Sequence, residues 1–140
     1  MRVVVDASVA VKWLVAEDSE QVDAARRLLL EDHDLLAPEL LLAEAANAIW
    51  KKLRRGQVTR EQGDLAAEAL PRFFNHTEKM ERLIRPAWRI AAERNHPVYD
   101  CVYMALAEKA RASLATFDER LASLARETGM DLEPNTSRAR

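Results

Sequence analysis

Val3-Val4-Val5-Asp6-Ala7-Ser8 decides the fold. Three consecutive β-branched residues with no polar alternation read as a short strand buried on both faces, the pattern of a parallel sheet. Asp6 follows at once, at the carboxyl end of what this reading makes the central strand. Open α/β sheets hold their ligands at that edge. Outward from there, helix and strand signals alternate. A helix is expected over 8–15. Ser19 caps an amphipathic stretch, Glu20 to Leu30, with Val22, Ala25, Leu28 and Leu29 on one face. Asp34 to Ala37 reads as a strand. Pro38 is expected to open a long helix as a first-turn proline, and Gly56 to close it, with Lys51, Lys52, Arg54 and Arg55 in the last turns. Thr59 and Gln62 have capping-box spacing for a helix to about Leu70. Thr77 to Met80 is a strand candidate. Glu81 to Arg94 reads as a helix, with Pro86 marking a kink or a later start. Pro97 opens a helix to about Arg111, Ser113 to Ala115 is a strand, Phe117 to Thr128 a helix, and Asp131 to Glu133 a last strand. The alternation predicts a helix-rich α/β protein with a mostly parallel sheet.

Size and composition narrow the class. A chain of 140 residues fits one domain around one core. With 49% hydrophobic and 31% charged residues it is too apolar for disorder and too charged for a membrane bundle. The expected division is a domain over 1–134 and a polar tail over 135–140. No apolar run approaches the ~18–20 residues of a membrane span. Asp6 and Lys12 interrupt the apolar N-terminus, and Arg2 alone is a poor charged leader, so no signal peptide is expected and the reading is a soluble, cytoplasmic protein. A formal charge of −2 excludes an overall basic clamp, so a polyanion must meet a local patch or a metal. Cys101, the single cysteine, excludes an intramolecular disulfide and a cysteine-cluster zinc site.

Four acids stand apart from those expected on solvated helix faces. Asp6 ends the first strand, although it also suits a helix N-cap. Between Leu40 and Trp50 the only polar side chains are Glu44 and Asn47, three apart on one helix face. A salt bridge or a water-filled notch would satisfy Glu44 locally. Asp100 is the only acid between His96 and Ala107; in a first turn it would gain up to ~1 kcal/mol from the helix dipole alone. Asp118 lies just past the Leu114-Ala115 strand, where Thr116 and Glu119 have capping-box spacing. In a parallel sheet the first and fourth strand ends point to the same edge. Carboxylates ~5 Å apart repel by about 3 kcal/mol per pair at an effective dielectric of ~20. Such a cluster calls for a cation, and an all-oxygen donor set favours Mg²⁺ or Mn²⁺. Removing one charge, as in Asp100→Asn, is therefore expected to stabilise the metal-free protein.

Four segments carry a family resemblance: VVVDASVAVKWL (3–14), PELLLAEAANAIWK (38–51), PVYDCVYMALAEK (97–109) and LATFDERLA (114–122). In order and spacing they resemble the PIN-domain family and, within it, VapC-type toxins of toxin–antitoxin pairs. The resemblance implies a three-layer α/β/α fold with a parallel sheet of about five strands. It implies a Mg²⁺- or Mn²⁺-dependent endoribonuclease that inhibits translation, an RNA substrate, a cognate antitoxin and a homodimer. The family's acids fall on Asp6, Glu44, Asp100 and Asp118, its late hydroxyl on Thr116 and its small polar residue on Ser8. Asn47 matches a recurrent position. On this reading Asp6 and Asp100 hold the metal. Glu44 ligates it or deprotonates its water, and Asp118 supports the first ion or binds a second.

Competing readings are a non-catalytic RNA- or protein-interaction domain and a metal-assisted phosphatase. Ser8 stands where an Asp-nucleophile phosphatase would place its second acid, and Leu114-Ala115-Thr116 offers no phosphoacceptor-type lysine. His33, His76 and His96 lack metal-ligand spacing and are expected at the surface or in turns. Cys101 reads as a buried helix residue. There is no zinc-protease, nucleophile-elbow or phosphate-loop motif. Lys51, Lys52, Arg54 and Arg55 form a helix-end charge run that, with Lys12, is available to RNA phosphates. Trp13 and Trp50 are expected to pack. The apolar surplus around Trp13, Leu14, Leu28, Leu29, Leu41 and Trp50 points to a protein partner.

Overall fold

The computed structural model describes residues 1–15 and 19–133. The elements run β1 (Arg2–Val5), α1 (Ala7–Leu14), α2 (Glu20–Leu30), β2 (Asp34–Pro38), α3 (Leu40–Arg54) and α4 (Arg60–Ala69). After a 3₁₀ turn at Leu70–Phe73 come β3 (His76–Glu78), α5 (Met80–Arg94), α6 (Val98–Ala110), β4 (Ser113–Ala115) and α7 (Glu119–Glu127). The expected polar tail lies outside the described residues.

All pairings in the sheet are parallel, in the order β3-β2-β1-β4. Val3, Val4 and Val5 are fully buried, as a central strand covered on both faces requires. The fifth expected strand contracts to one parallel bridge, Leu132 to Leu114. It is held by Leu114 N–H on Asp131 C=O (2.9 Å) and Glu133 N–H on Leu114 C=O (2.8 Å). From β1 the chain steps to β2 and β3, then reverses across the sheet to β4. Right-handed crossovers place helices of the outward and return legs on opposite faces, giving the three layers. The reversal makes the gap between β1 and β4 a topological switch point. There, above the strand carboxyl ends, the flanking connections diverge and leave a crevice. Helix α6 packs over β1, β2 and β4 on its way down from that crevice.

Local chemistry explains most element ends. The Thr59 hydroxyl accepts from Gln62 N–H (3.1 Å) and the Gln62 side chain accepts from Thr59 N–H (2.8 Å), closing the expected capping box. Pro38 does not open α3; it is the last residue of β2, opposite Glu78, and the helix begins at Leu40. A proline costs little at a strand end, where no further ladder donor is needed. Glu39 N–H takes up the pairing instead, on Glu78 C=O at 2.9 Å. Pro86 neither delays nor ends α5, which runs through it from Met80. Burial of Leu83, Ala87, Ile90 and Ala91 offsets the one missing backbone bond. Among the described residues no helix is long and apolar enough to cross a membrane.

Two left-handed positions allow a check on the backbone. Arg111 caps α6 at φ 52° without being glycine, and Gly56 follows α3 at φ 71°. Arg111→Gly is expected to stabilise the fold by about 0.5–1 kcal/mol, and Gly56→Ala to destabilise it by about 1 kcal/mol. Urea denaturation midpoints of the two variants against wild type test both signs.

Candidate active site

Asp6 is built into the crevice by two hydroxyl groups. As N-cap of α1 its Oδ1 accepts from Val9 N–H (3.3 Å), and the same oxygen accepts from Ser8 Oγ (2.6 Å). Its Oδ2 accepts from Thr116 Oγ1 (2.5 Å), at the end of β4. Each hydroxyl is used twice: Ser8 Oγ accepts from Phe117 N–H and Thr116 Oγ1 from Asp118 N–H, both at 2.9 Å. Thr116 is not the helix cap its spacing to Glu119 suggested. Asp6 caps α1, and Asp118 caps α7, accepting from Arg120 N–H at 2.9 Å. Burial drives the Asp6 carboxyl from 3.8 up to about 6, outweighing the bonds from Ser8, Thr116 and Val9; the charge of Asp118 adds to the rise.

The other acids arrive from both flanking layers. Glu44, on α3, is half-buried and accepts a hydrogen bond from the Tyr103 hydroxyl of α6. Burial raises its carboxyl above the usual range against that bond, and the charges of Asp100 and Asp118 raise it further. Tyr103 is itself shifted far upward, first by burial and then by Glu44, so it remains a donor. Asp100, in the first turn of α6, is buried. Its Oδ2 accepts from His96 Nε2 (2.8 Å) and from Arg120 Nε (3.0 Å). A carboxylate cannot donate, so His96 carries its proton on Nε2. The structure thus gathers Asp6, Glu44, Asp100, Asp118, Thr116 and Ser8 at one sheet edge. Asn47 is exposed and makes no hydrogen bond among the described residues.

Donor chemistry fits a hard divalent cation: the candidate ligands are carboxylate oxygens, and neither Asp6 nor Glu44 is paired with a cation among the described residues. As they stand, no three ligating side chains of the described residues are close enough to hold an ion together. One Asp100 oxygen is committed to His96 and Arg120, while the other has no hydrogen bond.

The PIN domain family model matches residues 3–127, from β1 through α7. The chain belongs to the PIN-domain family. It is 35% identical over 125 residues to ribonuclease VapC3 of Pyrobaculum aerophilum, covering 87% of this chain and 93% of that protein. Among solved structures, a Pyrobaculum aerophilum protein superposes with a TM-score of 0.67 at 26% identity, covering 89% of this chain and 84% of its own. VapBC2 of Rickettsia felis, crystallised on a DNA fragment from its promoter, shares the fold (TM-score 0.64) at 12% identity, over 95% and 98% of the two chains.

Three residues of this PIN-domain site escaped the sequence reading. His96 lies in the connection between α5 and α6, and its side chain is only 14% exposed and bonded to Asp100; the four-residue spacing was the available signal. Arg120, two residues after Asp118, gave no sign that it would reach back to Asp100. Tyr103 meets Glu44 from a segment 59 residues away, beyond any local pattern. His76 is exposed as expected. His33 lies in the connection before β2, yet its side chain is only 10% exposed and its Nδ1 has no partner among the described residues. Cys101 is buried, its thiol raised to about 11 by burial and by Asp100, which disfavours a nucleophilic thiolate. Trp13 packs on Phe73 and Phe74 and donates to Ala25 C=O (2.7 Å). Trp50 does not pack inside; it is 49% exposed under the Arg54 guanidinium.

The charge pattern corrects one expectation. Asp100 holds Arg120 and His96, so Asp100→Asn removes attractions as well as repulsion. Asp6 is the acid that burdens the metal-free fold. A carboxyl raised on folding binds its proton more tightly in the native state, so its stabilising contribution is complete below 3.8 and lost as pH rises through about 6. At neutral pH the ionised form costs about 3 kcal/mol relative to acid. In EDTA, Asp6→Asn is expected to be about 1–3 kcal/mol more stable than wild type at pH 7.5 and close to it at pH 4. Urea melts at both pH values check this; an equal difference at the two would refute the burial argument.

Proposed function

We propose that this chain is a divalent-metal-dependent endoribonuclease, the toxin of a VapBC-type pair that blocks translation by cutting RNA. The observation that carries the reading is Asp6: a buried carboxylate at the switch point, clamped by two hydroxyls, with no cationic partner and three further acids around the same crevice. Similarity to a VapC ribonuclease over most of both chains supports the substrate class.

Asp6 and Asp100 would hold the metal, with Asp118 nearby. A bound Mg²⁺ or Mn²⁺ supplies positive charge to the scissile phosphate and a more acidic water. The chain's own residues do the rest. Ser8 and Thr116 hold both Asp6 oxygens in fixed directions. Tyr103 occupies one Glu44 oxygen, leaving the other to take the proton of the attacking water. The raised affinity of Glu44 for protons suits it to that step. The water oxygen bonds to phosphorus, one phosphoester bond breaks, and the proton taken up by Glu44 is returned through solvent to the departing ribose oxygen.

The proposed antitoxin finds support in an apolar cleft between α1, α3 and α4, lined by Leu14, Ile49, Trp50, Leu53 and Leu70. Leu65 beside it is 63% exposed. Of the apolar surplus, Leu28 and Leu41 are consumed by the core, while Trp50 remains for a partner. A proposed homodimer finds support in Ile84 and Trp88, one turn apart and exposed on α5.

Partner-free protein is expected to cut structured RNA with Mg²⁺ or Mn²⁺, to stop in EDTA, and to lose at least about a hundredfold in rate as Asp6→Asn. A phosphate monoester offered in parallel is expected to survive. Monoester hydrolysis without RNA cleavage, or an unimpaired Asp6→Asn, would overturn the reading. Sedimentation at micromolar concentration is expected to show a dimer that Trp88→Glu dissociates.

A further inference from the structure

Arg120 is the one cationic side chain bonded to the four acids among the described residues. Only its Nε is engaged, on Asp100 Oδ2 at 3.0 Å; its two terminal nitrogens make no hydrogen bond to the described residues, and the side chain is 62% exposed. The same side chain lines an open cleft along α7 with His96, Glu119, Ser123 and Glu127, and its bond to Asp100 joins that cleft to the acids. Within that cleft Glu119 is already satisfied by Arg126 at 2.9 Å.

Asp100 does not need Arg120 to stay in place. His96 donates to the same oxygen at 2.8 Å from a largely buried ring, 14% exposed. With the Arg120 side chain 62% exposed, water screens its pairing with Asp100 and leaves it weaker than a fully buried pair. A guanidinium with two free N–H edges, standing at the rim of a negative crevice, is suited instead to a second anion held in its fork. A polyanionic strand approaching four carboxylates needs such a positive contact at the rim.

We infer that Arg120, with the cleft it shares with His96, is the seat of an RNA backbone phosphate flanking the cleavage point, and that its bond to Asp100 is the resting state of that seat. The inference rests on the RNA-cleaving reading and deepens it. Arg120 leaves Asp100 to His96 when the strand binds, and its free nitrogens take the phosphate oxygens.

The test combines binding and kinetics. Binding of a short single-stranded RNA in EDTA is measured by fluorescence anisotropy across a salt series, and cleavage by steady-state rates with Mn²⁺. Arg120→Gln is expected to raise Kd and KM about tenfold with kcat within about threefold. The log–log salt slope is expected to fall by about 0.7, one phosphate contact on a single strand. Arg120→Lys keeps the charge and loses the fork; it is expected to retain the slope with an intermediate KM, and it carries the test if the glutamine variant does not fold. Arg72→Gln removes an equal charge paired with Glu68 on α4 and is expected to change nothing. An unchanged slope and KM in Arg120→Gln would overturn the inference. So would a fall in kcat alone, which would make Arg120 only a support for Asp100. Wild type that neither binds nor cuts any RNA would overturn the underlying reading instead.

Discussion

Two hydroxyl groups tie the working edge of this protein together. Ser8 and Thr116 each give their proton to Asp6 and each receive a backbone N–H from the β4–α7 turn. The pair therefore joins the turn after β1 to the turn after β4, across the gap where the sheet reverses direction. Asp6 is fixed at both oxygens, and the backbone of Phe117 and Asp118 is fixed with it. Position and orientation of Asp6 and of the start of α7 follow from that link.

Around this node the acids are treated unequally. Asp6 and Glu44 are raised by burial and meet only neutral donors, so they store unfavourable charge. Asp100 holds a histidine and an arginine on one oxygen. Asp118 spends a carboxylate oxygen on the start of α7. The site combines two uncompensated carboxylates with one that already has a cation in hand. That division separates carboxylates raised by burial from carboxylates already held by a cation or a helix start.

The fold was largely legible because its decisive signals are local. A β-branched triplet, a capping box at Thr59 and Gln62, and alternating strand and helix patterns gave the architecture and most boundaries. The errors have local causes too: Pro38 suits a helix start and a strand end equally well, and the packing of α5 on α6 overrode Pro86. The four acids were legible because each interrupts an apolar run or ends a strand. Their partners were not. Tyr103 sits in a helix buried on nearly every side, so its hydroxyl gave no polar contrast. Arg120 looked like any exposed helix residue, and its reach to Asp100 depends on how α7 leaves the sheet.

The bonds that make the site span almost the whole chain. Thr116 lies 110 residues from Asp6, and Tyr103 lies 59 from Glu44. A chain made from its N-terminus can reach the end of α4 while still lacking every partner of Asp6 and Glu44 except Ser8 and the Val9 N–H. The Asp6 clamp closes only after β4 and its following turn have left the ribosome. A chain that stops before β4 therefore carries Asp6 without the geometry that orders it, and the destructive capacity proposed for this protein is withheld until β4 and the turn after it have been made.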